Sequence, residues 1–269
     1  MTGRLEGKVA LITGTAGGQG RDAALAFTAE GATVVGCDLQ PEGAAETVDL
    51  VRAAGGSMTS THPLDLTDDV AVASWVSAAA RRHGAIDIVY ANAGATRFKP
   101  VDQISVEEWR FVLAHELDVA FLPVRHAWQH LKASGAGAVV LVGSTAGISG
   151  SMTNARVAHT VTKGGIVALT KQLAAEGAPH GIRVNCVSPG MVATPATRGD
   201  LLAPDHPMRD IARHIPLGRV GSPREVVRCA LFLASDDASY VTGANLVVDG
   251  GWSAVLPGQW VSEVRDEVR

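Results

Sequence analysis

The chain is short of aromatic residues and cysteines, and these shortages limit what it can be. Only 4 % of its 269 residues are aromatic, two of them tyrosines, and there are three cysteines. Cys37, Cys186 and Cys229 form no CxxC pair, so we expect buried small side chains in a reducing compartment. No apolar run reaches the roughly 18 residues of a membrane span. The polar N-terminus enters a strand-like run at once, so we expect no signal peptide and a cytoplasmic protein.

Charge is also sparse, which argues against nucleic acid as a partner. Charged residues make up 19 % of the chain, and the formal net charge is −4. Proteins that bind nucleic acid usually carry a basic face, and the pair Arg81-Arg82 is too small to provide one. The 46 % apolar content fits one well-buried domain. We expect that domain over residues 1–251 and a tail without regular structure over residues 252–269.

Short apolar runs alternate with longer segments of helical periodicity. Runs that are apolar throughout are typical of strands covered on both faces, and the alternation predicts βαβ units. The expected fold is α/β, a single doubly wound (Rossmann) domain of about seven parallel strands flanked by helices. The predicted strands are 8–13, 33–37, 57–62, 86–91, 138–143, 182–187 and 245–249. The predicted helices are 18–30, 41–54, 68–83, 105–132, 155–178 and 222–235, and residues 191–216 predict an excursion over the carboxyl edge of the sheet.

Three glycines follow the first predicted strand. Gly14, Gly18 and Gly20 lie between an apolar run and a helical segment. In such a strand–turn–helix unit, backbone N–H groups and the helix N-terminus face a pyrophosphate. The second predicted strand ends at Asp38, whose carboxylate can accept hydrogen bonds from both ribose hydroxyls and repel a 2′-phosphate. The stretch therefore predicts NAD rather than NADP, and the alternative is an aspartate that merely opens a turn.

Three further strand ends carry small or polar residues. They are residues 91–94, 143–145 and 188–194. In an open parallel sheet, ligands bind outside the carboxyl ends of the strands. These ends and the glycine-rich turn therefore predict one shared cofactor-binding edge.

These motifs together resemble the short-chain dehydrogenase/reductase family over residues 5–251. The resemblance rests on Thr13–Gly20, Asp65-Leu66, Ala91–Gly94, Ser144, Lys163, Asn185, Ser188–Gly190 and Tyr240–Gly251. It implies one doubly wound domain, assembly as a homodimer or homotetramer, and hydride exchange between a nicotinamide cofactor and a carbonyl/alcohol pair on a small-molecule substrate.

The resemblance also implies which residues contact the cofactor. In that family, the positions of Asp65 and Leu66 hold the adenine, and the position of Asn92 stabilises the central strand. The positions of Val192 and Thr194 hold the nicotinamide carboxamide. The full expected set of cofactor-binding residues is Gly14, Gly18, Gln19, Gly20, Asp38, Asp65, Leu66, Asn92, Gly94, Lys163, Val192 and Thr194.

The match to the family's catalytic Asn–Ser–Tyr–Lys group is only partial. Ser144 and Lys163 fit the pattern, but His159 stands where the tyrosine is expected, and neither tyrosine of the chain can be aligned there. Glu116 stands at the position of the asparagine. This departure places the usual proton-transfer group in question.

Imidazole is a competent substitute for the missing phenol. His159 and Lys163 are four residues apart and share one helix face, and imidazole exchanges protons near neutral pH. We therefore expect His159 to donate or accept the proton beside Ser144, with Glu116 orienting the ring or carrying the proton onward. The alternatives are a merely packed His159 and an exposed Glu116. A metal site on the two is not expected, because no third ligand has suitable spacing.

Three functions remain open on these residues. The favoured one is an NAD-dependent oxidoreductase acting on a secondary alcohol, ketone or imine. The second is a non-redox proton-transfer or elimination enzyme on the same scaffold, and the third is a non-catalytic NAD-binding protein.

The loop around residues 95–100 and the excursion are expected to set substrate identity. Arg97, Phe98 and Lys99 suit a polar or anionic group on an apolar substrate, and exposed loop charge is the alternative. Trp109 and Trp128 are expected on the packed face of a long helix, where a subunit interface is one way to cover them.

Overall fold

Seven parallel strands form one sheet in the computed structural model of the chain, which describes residues 3–255. The strands are β1 Val9–Thr13, β2 Thr33–Cys37, β3 Ser57–Thr61, β4 Ile88–Ala91, β5 Ala138–Val142, β6 Arg183–Pro189 and β7 Asn245–Val248. Their order is β3-β2-β1-β4-β5-β6-β7, so the chain winds outward in both directions from β1 and β4. The predicted doubly wound α/β fold is confirmed.

Helices cover both faces of this sheet. They are α1 Gly18–Ala29, α2 Pro41–Ala53, α3 Asp69–His83, α4 Val106–Val112, α5 Val119–Ser134, α6 Val157–Gly177, α7 Pro195–Gly199 and α8 Pro223–Ala234. One core lies under α3, α5 and α6, and the other under α1, α2 and α8. Strands β1, β4 and β5 are buried along their whole length because both faces meet a core. In the described residues no helix is long and apolar enough to cross a membrane.

The predicted helix 105–132 is interrupted by a wider turn. Residues Leu113–Asp118 form a π-helical turn between α4 and α5. Pro123 lies inside α5. Because proline has no N–H, it cannot donate to the carbonyl of Val119, the residue that directly follows the π turn. Single π turns of this kind are frequent at functional sites. Glu116 lies within this turn.

The excursion over 191–216 is more ordered than expected. It contains α7 and a short turn of 3₁₀ helix, and four buried residues form its own small core: Met191, Met208, Ile211 and Ile215. Of the predicted tail, residues 252–255 form turns, and residues 256–269 lie outside the described residues. The domain boundary at residue 251 stays a prediction. Cys37 and Cys186 are buried free thiols, and Cys229 is half-buried.

Candidate active site

A cavity of about 660 Å³ runs along the carboxyl ends of β1, β2 and β4. Nine of the predicted cofactor-binding residues line it: Gly14, Gly18, Gln19, Asp38, Asp65, Leu66, Asn92, Gly94 and, from the excursion, Thr194. The N-terminus of α1 opens here, and no side chain caps it. Its first N–H groups are therefore available to an anionic ligand.

The glycine-rich turn adopts a backbone that needs its glycines. Gly14 has φ of 76° and Gly18 has φ of 52°, the left-handed region that side chains rarely adopt. Gly20 lies behind the turn, where a Cβ atom would collide with the carbonyl of Gly14. The turn and helix α1 therefore pack closely enough to bring the backbone to the cavity wall.

Asp38 is held rigidly at the end of β2. One carboxylate oxygen accepts the N–H of Ala16 at 2.7 Å, and the other accepts the N–H of Gln40 at 2.9 Å. The two bonds tie the carboxylate to the glycine-rich turn and to the start of α2. Its predicted place beside an adenosine ribose fits this position in the cavity wall.

The adenine side of the cavity is formed by Asp65 and Leu66. Asp65 accepts hydrogen bonds from the backbone N–H and the hydroxyl of Thr67, both at 2.8 Å. These bonds lower the pKa of the Asp65 carboxyl from its usual value. Asn92 ties the end of β4 to β1, because its amide donates to the Thr13 carbonyl at 3.1 Å. That contact fits the expected role in stabilising the central strand.

Gln19 and Thr194 line both the large cavity and a second one, and Val192 lines the second. Thr194 caps α7, accepting the Thr197 N–H at 3.1 Å. The Gln19 side-chain oxygen is buried and has no hydrogen-bond partner among residues 3–255. A buried acceptor without a partner calls for an explanation, and a donor on a bound group would satisfy it. The residues present therefore fit a dinucleotide that extends from Asp38 to this junction.

The second cavity, of about 290 Å³, brings the four predicted catalytic residues together. Ser144, at the end of β5, accepts the N–H of Ala146 at 3.0 Å, which leaves its own O–H free to donate. The buried ammonium of Lys163 donates to the carbonyl of Val142 at 3.0 Å. Both side chains line the same space as His159 and Glu116.

His159 is paired with Glu116 through a close contact. Its Nδ1 lies 2.7 Å from one carboxylate oxygen and 2.9 Å from the other. Thr162 donates its hydroxyl to the same carboxylate. The Glu116 side chain is 4 % exposed and that of His159 is 14 % exposed, so the alternative of an exposed Glu116 is wrong. Because Nδ1 is occupied, Nε2 is the nitrogen left for a ligand.

The loop over residues 95–100 contributes an aromatic ring to the cavity wall, and its two cations lie outside that wall. The Arg97 guanidinium lies 4.2 Å from the Phe111 ring, and Lys99 lies 3.3 Å from Glu108. Both cations are exposed and do not line the cavity, so the exposed-charge alternative holds for them. Phe98 does line it and meets the His159 ring edge-on at 5.5 Å.

The two tryptophans of the long helix are half-buried, and Trp128 packs against the core under α3, α5 and α6. The packed-helix expectation is confirmed for Trp128, and the interface expectation stays a prediction. No group of three or more His, Cys, Asp or Glu side chains able to hold a metal occurs among the described residues.

Sequence reasoning missed Arg156, Met208 and Trp252, which also line the second cavity. Arg156 precedes His159 by three residues at the start of α6, a spacing that marked it as a neighbour of the site. Met208 and Trp252 come from distant segments, and no local pattern places them here.

The glycine-rich turn, the acidic end of β2 and the Ser144–Lys163 cavity define a dinucleotide-binding α/β enzyme of the oxidoreductase class. The family model described as enoyl-(acyl carrier protein) reductase matches residues 14–253. The chain belongs to the short-chain dehydrogenase/reductase family, whose members bind a nicotinamide cofactor, NAD or NADP.

Curated relatives are similar along nearly the whole chain. A cis-4-hydroxycyclohexanecarboxylate dehydrogenase of Sinomonas cyclohexanicum is 38 % identical over 249 residues, covering 92 % of this chain and 97 % of its own. A 2,5-dichloro-2,5-cyclohexadiene-1,4-diol dehydrogenase of Sphingobium indicum is 37 % identical, covering 94 % and 99 %.

Solved structures also match nearly the whole chain. A short-chain dehydrogenase/reductase of Burkholderia xenovorans superimposes with a TM-score of 0.89 at 38 % identity, covering 95 % of this chain and 100 % of its own. Levodione reductase gives a TM-score of 0.88 at 31 % identity, covering 94 % and 100 %. The chain is accordingly an oxidoreductase of this family.

Proposed function

We propose that the protein is an NAD-dependent dehydrogenase of secondary alcohols in which His159 replaces the family's tyrosine as proton donor and acceptor. The observation that carries the proposal is the 2.7 Å contact between His159 Nδ1 and Glu116 inside the cavity lined by Ser144 and Lys163. The bound nicotinamide supplies the hydride chemistry of the reaction.

The preference for NAD rests on Asp38. Its carboxylate is fixed by two backbone N–H groups and lines the large cavity. A carboxylate in that place accepts bonds from ribose hydroxyls and repels the extra phosphate of NADP.

The proton moves through His159. With its Nδ1 proton donated to Glu116, the neutral ring presents the lone pair of Nε2 to the cavity. That nitrogen takes the hydroxyl proton of the substrate during oxidation and returns it during reduction. Ser144 donates to the substrate oxygen, and the buried Lys163 would hold the ribose of the nicotinamide, as the family resemblance implies. The carboxylate stabilises the imidazolium when it forms, as in base–carboxylate pairs of other enzymes.

The substrate we propose is an alcohol on a six-membered carbon ring. Two of the relatives above are named for substrates with such a ring, a cyclohexane and a cyclohexadiene. The wall of the second cavity contains the large apolar side chains Phe98, Met191 and Trp252, which suit the body of a ring. We further propose a cytoplasmic homodimer or homotetramer.

The test is the appearance of reduced-nicotinamide absorbance when NAD⁺ and a panel of secondary alcohols, cyclic and acyclic, are mixed with the protein. His159→Phe, which keeps a planar ring and removes both nitrogens, is the control. A signal in the wild type that vanishes in the variant supports the proposal. Equal rates from both proteins contradict the role of His159.

A second candidate function is favoured by the same pair. An imidazole held by a buried carboxylate is a general base that needs no redox partner, so it suits proton abstraction or elimination as well. Substrate turnover without any change in nicotinamide absorbance would support that function. If no substrate is turned over although NADH binding is measured, the result would support a non-catalytic NAD-binding protein.

A further inference from the structure

Arg156 lines the substrate cavity, and no ion pair joins it to an acidic side chain among residues 3–255. One of its guanidinium nitrogens donates to the carbonyl of Ser149 at 3.3 Å. The Nε atom is buried and has no hydrogen-bond partner among residues 3–255. Glu116 is the acidic residue in the cavity wall, and His159 already occupies it. Unpartnered buried donors are rare, and each calls for an explanation.

The position of Arg156 also costs stability. It is the N-cap residue of the 21-residue helix α6 and makes no capping hydrogen bond, although short polar side chains are strongly preferred there. A cation at this end opposes the helix dipole. Burial lowers the pKa of its guanidinium from the usual value, the direction expected for a cation that has lost water without gaining an anion. A bound anion would offset all three effects.

The rest of the cavity indicates what carries that anion. The apolar side chains of Phe98, Met191, Leu201, Met208 and Trp252 line the same cavity as Arg156, beside polar residues that include Asn154 and Thr197. Arg156 and His159 are three residues apart at the start of α6, a rise of about 4.5 Å along the axis. A ligand that reaches both side chains therefore carries its anionic group several bonds away from its hydroxyl.

We propose that Arg156 binds a carboxylate of the substrate, so that the enzyme acts on a ring alcohol carrying a carboxylate several bonds from its hydroxyl. The guanidinium fork matches a carboxylate in two parallel hydrogen bonds. This inference rests on the proposed function for the hydroxyl end, but the carboxylate end can be tested without turnover.

The test is calorimetric binding of cyclohexanecarboxylate and of its neutral isostere cyclohexanecarboxamide to the wild type with NADH present and absent. A charge-assisted pair predicts that the carboxylate binds about tenfold more tightly or better. Arg156→Met, which keeps the apolar stem, should abolish the difference and leave the amide affinity nearly unchanged. Arg156→Lys should keep part of the difference, since it keeps the charge and loses the fork. Arg81→Met, on the exposed surface of α3, is the matched control.

The other outcomes overturn either the anionic subsite or the proposed redox function, and they distinguish the two. Equal affinities for the two probes in the wild type, or no saturable carboxylate binding up to the solubility limit, remove the anionic subsite. If Arg156→Met loses affinity for both probes equally and has a lower melting temperature, the role of Arg156 is to hold the Ser149 carbonyl and not to bind a ligand. Carboxylate binding without oxidation of any ring alcohol leaves the subsite intact and overturns the proposed redox function. Oxidation of ring alcohols that carry a carboxylate with the same kcat/KM in the wild type and in Arg156→Met leaves the function and overturns the subsite.

Discussion

Replacing Glu116 by Gln tests the proposed proton transfer most directly. The change keeps the size of the side chain and an oxygen for the Thr162 hydroxyl, but it removes the charge that faces His159. An amide can also turn its NH₂ toward Nδ1, which moves the ring proton to Nε2 and leaves no lone pair for the substrate.

The expected loss follows from the geometry. Both carboxylate oxygens lie within 2.9 Å of Nδ1, and the Glu116 side chain is 4 % exposed, so water screens the pair weakly. Hydrogen bonds to charged groups contribute about 1.5–3 kcal/mol. Each 1.36 kcal/mol of barrier is about tenfold in rate. We expect kcat to fall roughly 10- to 100-fold, with little change in KM.

The assay combines kinetics with NMR. Steady-state oxidation gives kcat and KM for Glu116→Gln and for Thr162→Val, which keeps the carboxylate and should lose less activity. ¹⁵N spectra of labelled histidine, assigned with His159→Phe, report which ring nitrogen carries the proton. An unchanged kcat together with an unchanged tautomer in Glu116→Gln would refute the reasoning.

Four further predictions concern single residues. His159→Tyr should move the rise of alcohol oxidation to higher pH, because a phenol ionises near 10 and imidazole near 6.5; a pH profile that does not move counts against His159 as the base. Asp38→Asn should raise the ratio of kcat/KM for NADP over NAD about tenfold or more, since it removes the like charge; an unchanged ratio contradicts the NAD assignment. Gly20→Ala should destabilise the fold by about 1–3 kcal/mol and weaken NADH binding, because its Cβ meets the Gly14 carbonyl; wild-type melting and NADH affinity would contradict the steric argument. Arg156→Ser should raise the melting temperature by about 2–4 °C through a better N-cap, and a lower value would show that the Ser149 contact outweighs the cap.

The sheet could be predicted from sequence because its signals are local. Apolar runs covered on both faces and the glycine-rich turn locate β1 to β7 within about two residues of the observed bounds. The family resemblance, rather than a local pattern, predicted that Ser144, His159 and Lys163 belong to one site, and the three residues line one cavity.

The pairing of Glu116 with His159 depends on packing that no local pattern contains. Glu116 lies in a π turn, and a one-residue widening of a helix leaves only a weak trace in hydrophobic periodicity. For Arg97 and Lys99 the exposed-charge alternative holds, because α4 supplies near partners, the Phe111 ring and the Glu108 carboxylate. The place of Arg156 in the cavity wall depends on packing as well, because Met208 and Trp252, which line the same cavity, come from distant segments of the chain.

The π turn at Leu113–Asp118 makes the active site depend on a count of residues as well as on their identity. One extra residue in a helix rotates everything after it by about 100°. The apolar positions of α5 therefore follow a different phase from those of α4. We expect the deletion of one residue from the turn to restore a regular helix. If α5 still buried its apolar face, Glu116 would be rotated away from His159. We therefore expect related sequences that are one residue shorter in this turn to keep the fold and to lose the contact between Glu116 and His159.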